Sequence, residues 1–436
     1  MIMYNVIIIS LLVLMVVLVA SNKVPRWIIG LILLAIILLT GTSTLTDVIK
    51  FVDWDVLGLI IGMGIFTVLL EESGLMELTA RFIRARIGSP STVIFWIILI
   101  AGLVSIILEN VTVVLLFAPI AYRLSKKLGV NPIPVIIGIA LSSNMAGSAT
   151  MIGDPPAIIT AGYFNLAFMD FIWYHGRPSM FFLTLIPMIV SCYVYSKIVS
   201  KEEGYSDKNK LVVEDGETIW KGLDKMFIYE AILFLSIKIV LLSIRHLIHI
   251  PLTLAALVGV GGLSLIRIIL HRDTASVKIA VRKGIDLDIV VFLIGVFVLS
   301  GAFAQHGLAV AAAKAILSIA SDNLFVVASM LIWLSVAISA VMDNTPYIVT
   351  MLPIVKYIAV GLNVDPVVIA WALLVGATLG GSITYIGASA NLVAVKLLEN
   401  KGYKVTFSGF IRRSIPFNMA NILLGWLLYT IFWIIY

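Results

Sequence analysis

Three acidic side chains set in apolar surroundings mark where chemistry could occur. Glu109 stands in Glu109-Asn110-Val111-Thr112, Asp343 in Asp343-Asn344-Thr345-Pro346, and Asp154 in Gly153-Asp154-Pro155-Pro156. Glu109-Asn110 and Asp343-Asn344 lie 234 positions apart, as do Pro119 and Pro353. An ionised carboxylate in apolar surroundings is costly, so each must be partnered, cation-bound or protonated. Such acids can carry a proton or hold a cation. The plainer reading is that each caps the helix that follows, since Asp and Glu suit helix N-termini. Asp154 fits both readings, and its counterpart in the second copy is Ala388.

Neutral oxygen ligands accompany the acids. Gly147, Ser148, Thr150, Ile152 and Gly153 fall on Gly381, Ser382, Thr384, Ile386 and Gly387, always 234 positions later. Both stretches are small, hydroxyl-rich interruptions of apolar segments, bounded by Asn144 and Asn391. In a membrane a broken helix is tolerated only where it is packed in protein or lines a cavity. Paired breaks in two halves point to a transporter's binding site, with unwound carbonyls and hydroxyls suited to Na⁺ and half-helix N-termini to an anion or oxygen-rich solute. Small residues that merely let helices pack closely are the alternative. The candidate set is Glu109, Asn110, Thr112, Asn144, Gly147, Ser148, Thr150, Asp154, Asp343, Asn344, Thr345, Gly381, Ser382, Thr384 and Asn391. No metal is expected beyond Na⁺ at these residues, and no cofactor beyond Na⁺ or H⁺ as coupling ion.

The elements that must position these residues are membrane helices. Of 436 residues 61% are hydrophobic and 12% charged, and mean hydropathy is +1.12. Runs of about 20 apolar residues, enough to cross a bilayer, recur throughout. Ten spans are expected, at about Tyr4–Ala20, Trp27–Thr40, Val56–Leu70, Ile133–Ala161, Phe181–Val199, Phe227–Ile244, Leu252–Leu270, Ile289–Ala304, Val367–Leu397 and Ile415–Tyr436. Two re-entrant hairpins are expected near 93–123 and 324–360, with the acidic tetrads at their tips. Val113 to Tyr122 is too short to cross alone, and Met76 to Arg86, with Arg81, Arg84 and Arg86, reads as an interfacial helix.

The halves are 1–200 and 227–436, joined by a polar cytoplasmic linker at 201–226. Asp55, Gly62 and Gly74 map onto Asp288, Gly295 and Gly307 at an offset of 233. With both termini outside, 24 of 30 Lys and Arg face the cytoplasm, and Lys50, Arg177, Arg245, Lys314 and Lys356 lie outside. That bias favours this orientation, in which the halves are inverted and the hairpins enter from opposite sides. Lys23 and Arg26 follow the first span, the wrong flank pattern for a cleaved signal.

The remaining polar groups suggest structural roles. Lys238, within span six, is expected to snorkel or pair with Glu230. Cys192 reads as a small core residue, and His306 as an interfacial histidine. The net charge of +6 is a topology signal rather than a nucleic-acid footprint. No phosphate loop, zinc motif or nucleophile triad stands out, so an enzyme is not expected.

At these motifs the chain resembles the ion transporter superfamily that holds arsenite permeases, NhaD-type Na⁺/H⁺ antiporters and the pink-eyed dilution (P) proteins, the P-protein branch above all. The resemblance rests on Glu109/Asn110/Val111/Thr112 with Leu115-Leu116-Phe117 and Pro119, and on Asp343-Asn344-Thr345-Pro346 with Thr350-Met351-Leu352-Pro353. It rests also on the two break motifs, Gly153-Asp154-Pro155-Pro156 and Ile386-Gly387-Ala388-Ser389-Ala390-Asn391, and covers about Asp53 to Ser414. Ala157 departs from it, standing where the pattern has asparagine. The acidic tips also differ from the Ser-Asn-Thr tips of the sodium–dicarboxylate carriers, whose fold is similar. The resemblance implies an all-α polytopic protein with hairpins and broken helices forming a transport domain beside a scaffold, usually as a homodimer in the plasma membrane.

Fixed acids repel a dicarboxylate unless neutralised; they suit a cation, or a neutral hydroxylated solute such as arsenous acid exchanged for protons. The expectation is a secondary active transporter, a proton-coupled exporter of arsenite/antimonite or of Na⁺. A Na⁺-coupled citrate or dicarboxylate importer and an anion channel are the alternatives. Expected partners are the lipid bilayer, a small inorganic ion or neutral oxyacid, and a second copy of the chain.

Overall fold

The computed structural model describes residues 2–21, 23–75, 77–78, 90–202 and 222–435. The expected interfacial arginines Arg81, Arg84 and Arg86, and linker residues 203–221, lie outside the described residues.

The first half runs α1 (Ile2–Ser21), α2 (Arg26–Leu39), α3 (Leu45–Phe51), α4 (Trp54–Glu72), α5 (Pro90–Ser105), α6 (Asn110–Leu128), α7 (Pro132–Gly147), α8 (Pro155–Tyr163) and α9 (Met180–Glu202). Between α8 and α9 lies a small hairpin of β1 (Trp173–Tyr174) and β2 (Arg177–Pro178). The second half runs α10 (Lys225–Ile248), α11 (Leu252–Ile269), α12 (Thr274–Gly284), α13 (Leu287–Gln305), α14 (Leu308–Ala320), α15 (Leu324–Ser339), α16 (Asn344–Leu362), α17 (Pro366–Gly380), α18 (Ser389–Asn400) and α19 (Phe407–Tyr429).

Among the described residues eight helices, counting the run Thr274–Gln305 once, are long and apolar enough to cross a bilayer, and α14 with α15 makes a further pair bent by 117°. All ten expected spans coincide with helices, but not all as single crossings. The fourth and ninth are the broken pairs α7–α8 and α17–α18, and the second is the 14-residue α2. The short helices α3, α12 and α14 were not anticipated; α12 and α14 sit in stretches with too much charge or too little length to read as spans. The return arms of the hairpins are longer than expected. Each of α6 and α16 has 19 residues, about 28 Å of helix, because the pattern continues through Arg123, Lys126 and Lys127 in α6. By length and composition α16 could itself cross a membrane.

The two halves repeat in detail. α5 and α15 begin and end 234 positions apart, as do α6 and α16. Asn131 and Asp365, also 234 apart, cap α7 and α17 through side-chain oxygens. The matched Asp55 and Asp288 have a role that sequence alone did not reveal: each caps a neighbouring helix. Asp55 accepts from the N–H of Leu252 and Thr253, both at 2.7 Å, and Asp288 accepts from Trp27 N–H at 3.0 Å. These contacts start two parallel helix pairs, α4 with α11 and α2 with α13. Gly74 and Gly307 share a left-handed backbone, with φ of +80° and +78°, where a side chain would be strained. α7 and α17 are buried along almost their whole length, as helices apolar on every face should be. They form the centre against which both hairpins pack.

Candidate functional site

The site is built where two hairpin tips meet two helix breaks. Each tip is tied by the same internal bond. Ser105 Oγ donates to Asn110 Oδ1 at 2.8 Å, and Ser339 Oγ donates to Asn344 Oδ1 at 3.0 Å. Each break is tied to the first arm of its own hairpin by a matched threonine: Thr150 donates to Ile106 O and Thr384 to Ala340 O. The tips press so close to the breaks that glycine is required there. A Cβ on Gly147 would lie 2.4 Å from Asn110 Oδ1, and one on Gly381 2.3 Å from Asn344 Oδ1.

A polar network then joins the halves. Asn110 Nδ2 donates to Asn144 Oδ1 at 3.3 Å, and Asn144 Nδ2 donates to Ser382 Oγ at 2.7 Å. Thr378 Oγ1 donates to Ser148 Oγ at 2.8 Å, and Ser148 donates on to Asp154 Oδ2 at 2.6 Å. Asp154 Oδ1 accepts from Ala157 N–H at 3.0 Å. Asp154 is therefore a helix cap, and it is also the buried end of a hydroxyl chain that begins in the other half.

The acids and amides converge on a cavity of about 60 Å³ lined by Arg26, Glu109, Asn110, Asn144, Asp154, Asp343, Asn344, Thr345 and Ser389 among others. That is room for roughly four waters or one small solute. A second cavity, of about 130 Å³, shares Glu109 and Asp154 and adds Thr67, Thr112, Lys283 and Asp286. Three carboxylates and one guanidinium thus face the smaller space. Asp343 accepts from Arg26 Nη2 at 2.7 Å, from Ser389 Oγ at 3.2 Å and from its own tip at Thr345 N–H at 3.1 Å. Glu109 stands at the N-cap position of α6 without a side-chain cap bond. Among the described residues it has no hydrogen-bond or ion-pair partner, so the capping role holds for Asp343 and Asp154 and not for Glu109.

Of the residues singled out from sequence, Glu109, Asn110, Asn144, Asp154, Asp343, Asn344 and Thr345 line the smaller cavity, and Thr112 the larger. Gly147, Ser148, Thr150, Gly381, Ser382, Thr384 and Asn391 lie behind these walls and hold them in shape. Asn391 Nδ2 donates to the carbonyls of Gly381 and Thr384 at 3.0 and 2.9 Å, which fixes the second break. Ser414 and Asn418 of α19 bind the Ile383 and Ser382 carbonyls at 2.6 and 2.9 Å.

Three readings are corrected. Arg26, which reads in sequence as a flanking charge, lines the smaller cavity and pairs with Asp343. Its only sequence signal was its place at the start of an apolar segment. Ser389, inside the second break motif, lines the same cavity. Lys238 neither snorkels nor pairs with Glu230: it is fully buried, with Nζ 3.0 Å from Met63 Sδ and 3.9 Å from the Phe66 ring centre. Glu230 instead meets His271 at 2.6 Å and Arg267 at 3.6 Å.

Comparison with known proteins agrees with this architecture. The chain is 29% identical over 427 residues to an uncharacterized transporter of Mycobacterium tuberculosis, covering 95% of this chain and 96% of that one. It is 27% identical over 463 residues to the human P protein, covering 90% of this chain and 55% of that one. Its fold is similar to the crystal structure of the YdaH transporter of Alcanivorax borkumensis, with a TM-score of 0.58 at 15% identity and coverage of 88% and 86%. A family profile described as citrate transporter matches residues 16–376. With hairpin tips and broken helices closing on one polar cavity, and with that match over most of its length, the chain belongs to the citrate transporter family of multi-pass membrane transporters.

Proposed function

We propose that the chain is a secondary active transporter in which a small cation or a neutral oxyacid is exchanged for protons at the cavity between the tips. One observation carries this reading. Glu109, Asp154 and Asp343 face a space of about 60 Å³ in which, among the described residues, Arg26 is the one cation and Glu109 is unpartnered. An acid held so can bind a cation or a proton but not both, and that exclusion is what coupling requires. The asparagine amides of both tips and the hydroxyls behind them supply neutral ligands suited to Na⁺ or to the hydroxyls of arsenous acid.

The 234-residue offset between tips, caps and breaks supports two inverted halves, 1–200 and 227–436, which take turns in admitting solvent. The bias of Lys and Arg towards one side supports both termini outside, and a plasma-membrane homodimer is what the family resemblance implies. A second reading has its own support. The family's description and the guanidinium of Arg26 favour an organic anion such as citrate, admitted once Na⁺ or protons have neutralised the acids.

The test is a panel of fluxes in proteoliposomes. Na⁺, arsenite and citrate are each presented with and without a pH gradient, and with Na⁺ replaced by choline. Gradient-driven movement of Na⁺ or arsenite supports the exchange reading. Citrate uptake that requires Na⁺ or inward protons selects the second. Conductance without any counter-ion dependence refutes both and makes the protein a channel.

A further inference from the structure

The Arg26–Asp343 contact has features that a structural salt bridge would not need. Arg26 is the first residue of α2, and Asp343 is the tip of the α15–α16 hairpin, 317 residues away. One nitrogen, Nη2, lies 2.7 Å from Asp343 Oδ2 and 2.8 Å from Ser389 Oγ, and those two oxygens are 3.2 Å apart. A carboxylate oxygen and a hydroxyl oxygen thus converge on the spot that the guanidinium fills, at the wall of the transport cavity. The Asp343 side chain is 8% exposed and that of Arg26 27%, so the cation is the more accessible partner.

The arrangement exists in one half only. Trp27 N–H is capped by Asp288 as Thr253 N–H is capped by Asp55, so Leu252 stands where Arg26 would recur. Ser389 corresponds to Pro155, and the matching acid Glu109 has no partner among the described residues. α2 packs along α13, whereas Asp343 caps α16. Asp286 and Asp288 at the start of α13 also act on the charge of Arg26.

We propose that Arg26 is a tethered cation that occupies the Asp343–Ser389 pocket when no ion is bound, and that a monovalent cation and Arg26 compete for that pocket. The competition sets how tightly the second tip holds its ion, and it leaves Glu109 as the freely available acid. The proposal rests on the cation-exchange reading above and deepens it.

The experiment uses the purified full-length chain in detergent, with NaCl titrated against choline chloride at constant ionic strength and thermal unfolding as the readout. A ligand that binds the folded state raises the unfolding temperature with a concentration dependence set by its affinity. Arg26→Gln lowers the half-saturating Na⁺ concentration about tenfold, equal to about 1.4 kcal/mol. Arg26→Lys keeps a tethered charge and stays within about threefold of the wild type. Ser389→Ala, which removes an oxygen that the guanidinium and the ion share, does not reproduce the tenfold gain of Arg26→Gln. Arg26→Gln with Asp343→Asn loses the gain, because the ligand itself is gone.

An unchanged half-saturation in Arg26→Gln overturns the proposal and leaves a structural salt bridge. A gain that survives Asp343→Asn overturns it too, since the ion then sits elsewhere. Absence of any Na⁺ response in every variant also overturns it. Flux measured after the same preparations are reconstituted into proteoliposomes then separates the two claims: coupled transport that persists leaves the exchange reading standing, and its absence removes both.

Discussion

The contact between hairpin tip and helix break gives the sharpest single perturbation. In Gly147→Ala the new Cβ would lie 2.4 Å from Asn110 Oδ1 and 3.0 Å from Asp154 Oδ2. Ordinary packing leaves about 3.5 Å between such atoms, so the tip must retract by about 1 Å. Asn110 cannot simply rotate away, because its oxygen accepts from Ser105 at 2.8 Å and its amide donates to Asn144. Overpacking of this kind costs about 1–3 kcal/mol. If the cost falls on the substrate-ready arrangement of the tip, it equals about 5- to 150-fold in apparent affinity. Gly261→Ala is the control, since a Cβ there meets nothing within 4 Å. The assay compares unfolding temperature and half-saturating solute concentration for Gly147→Ala, Gly261→Ala, Asn110→Ala and the Gly147→Ala/Asn110→Ala pair. Trimming Asn110 removes the clash, so the pair should be less impaired than the sum of its parts. Gly147→Ala indistinguishable from Gly261→Ala in both measurements would refute the contact and the packing argument with it.

Three other outcomes are expected. Asp55→Ala removes two bonds to the start of α11 and should cost about 2 kcal/mol, seen as a lower unfolding temperature; Asp55→Asn, which keeps an acceptor, should recover part of it. Lys238→Met exchanges a buried amine with no carboxylate partner among the described residues for an apolar chain of similar length. It should raise stability by about 1 kcal/mol, and a large loss in the same measurement would mean that the amine is held more favourably than Met63 and Phe66 suggest. Single cysteines at Thr112 and Thr345, in a Cys192→Ser background, should label from opposite faces of the membrane; labelling of both from one face alone in every condition contradicts the inverted arrangement.

Much of the fold is written in local chemistry that sequence displays directly. Asn131-Pro132 and Asp365-Pro366 pair a capping residue with proline at the first helical position, and α7 and α17 start there. The tips and breaks were visible because their polar and small residues recur at one offset in apolar surroundings. What sequence did not display depends on contacts between distant segments. Asp55 and Asp288 were recognisable as a matched pair, but their partners are N–H groups almost 200 and more than 250 residues away. Arg26 reads as an ordinary flanking charge, because nothing near it in the chain announces Asp343. Ser148 donates to Asp154 and Ser382 accepts from Asn144, contacts that the sequence pattern alone does not display. Periodicity also underestimates helices that carry charge at one end, as it did for the return arm α6.

The central claim is that acids at the tips and breaks exchange protons for the transported solute, with Glu109 as the unpartnered member. The most direct test is lumenal pH, followed with a trapped dye in proteoliposomes as an outward gradient of Na⁺ or arsenite is imposed. In the wild type, efflux of the transported solute should acidify the lumen. Glu109→Gln should still allow downhill exchange of labelled solute but leave lumenal pH unchanged. Full proton counterflow in Glu109→Gln, with solute exchange intact, would contradict the account.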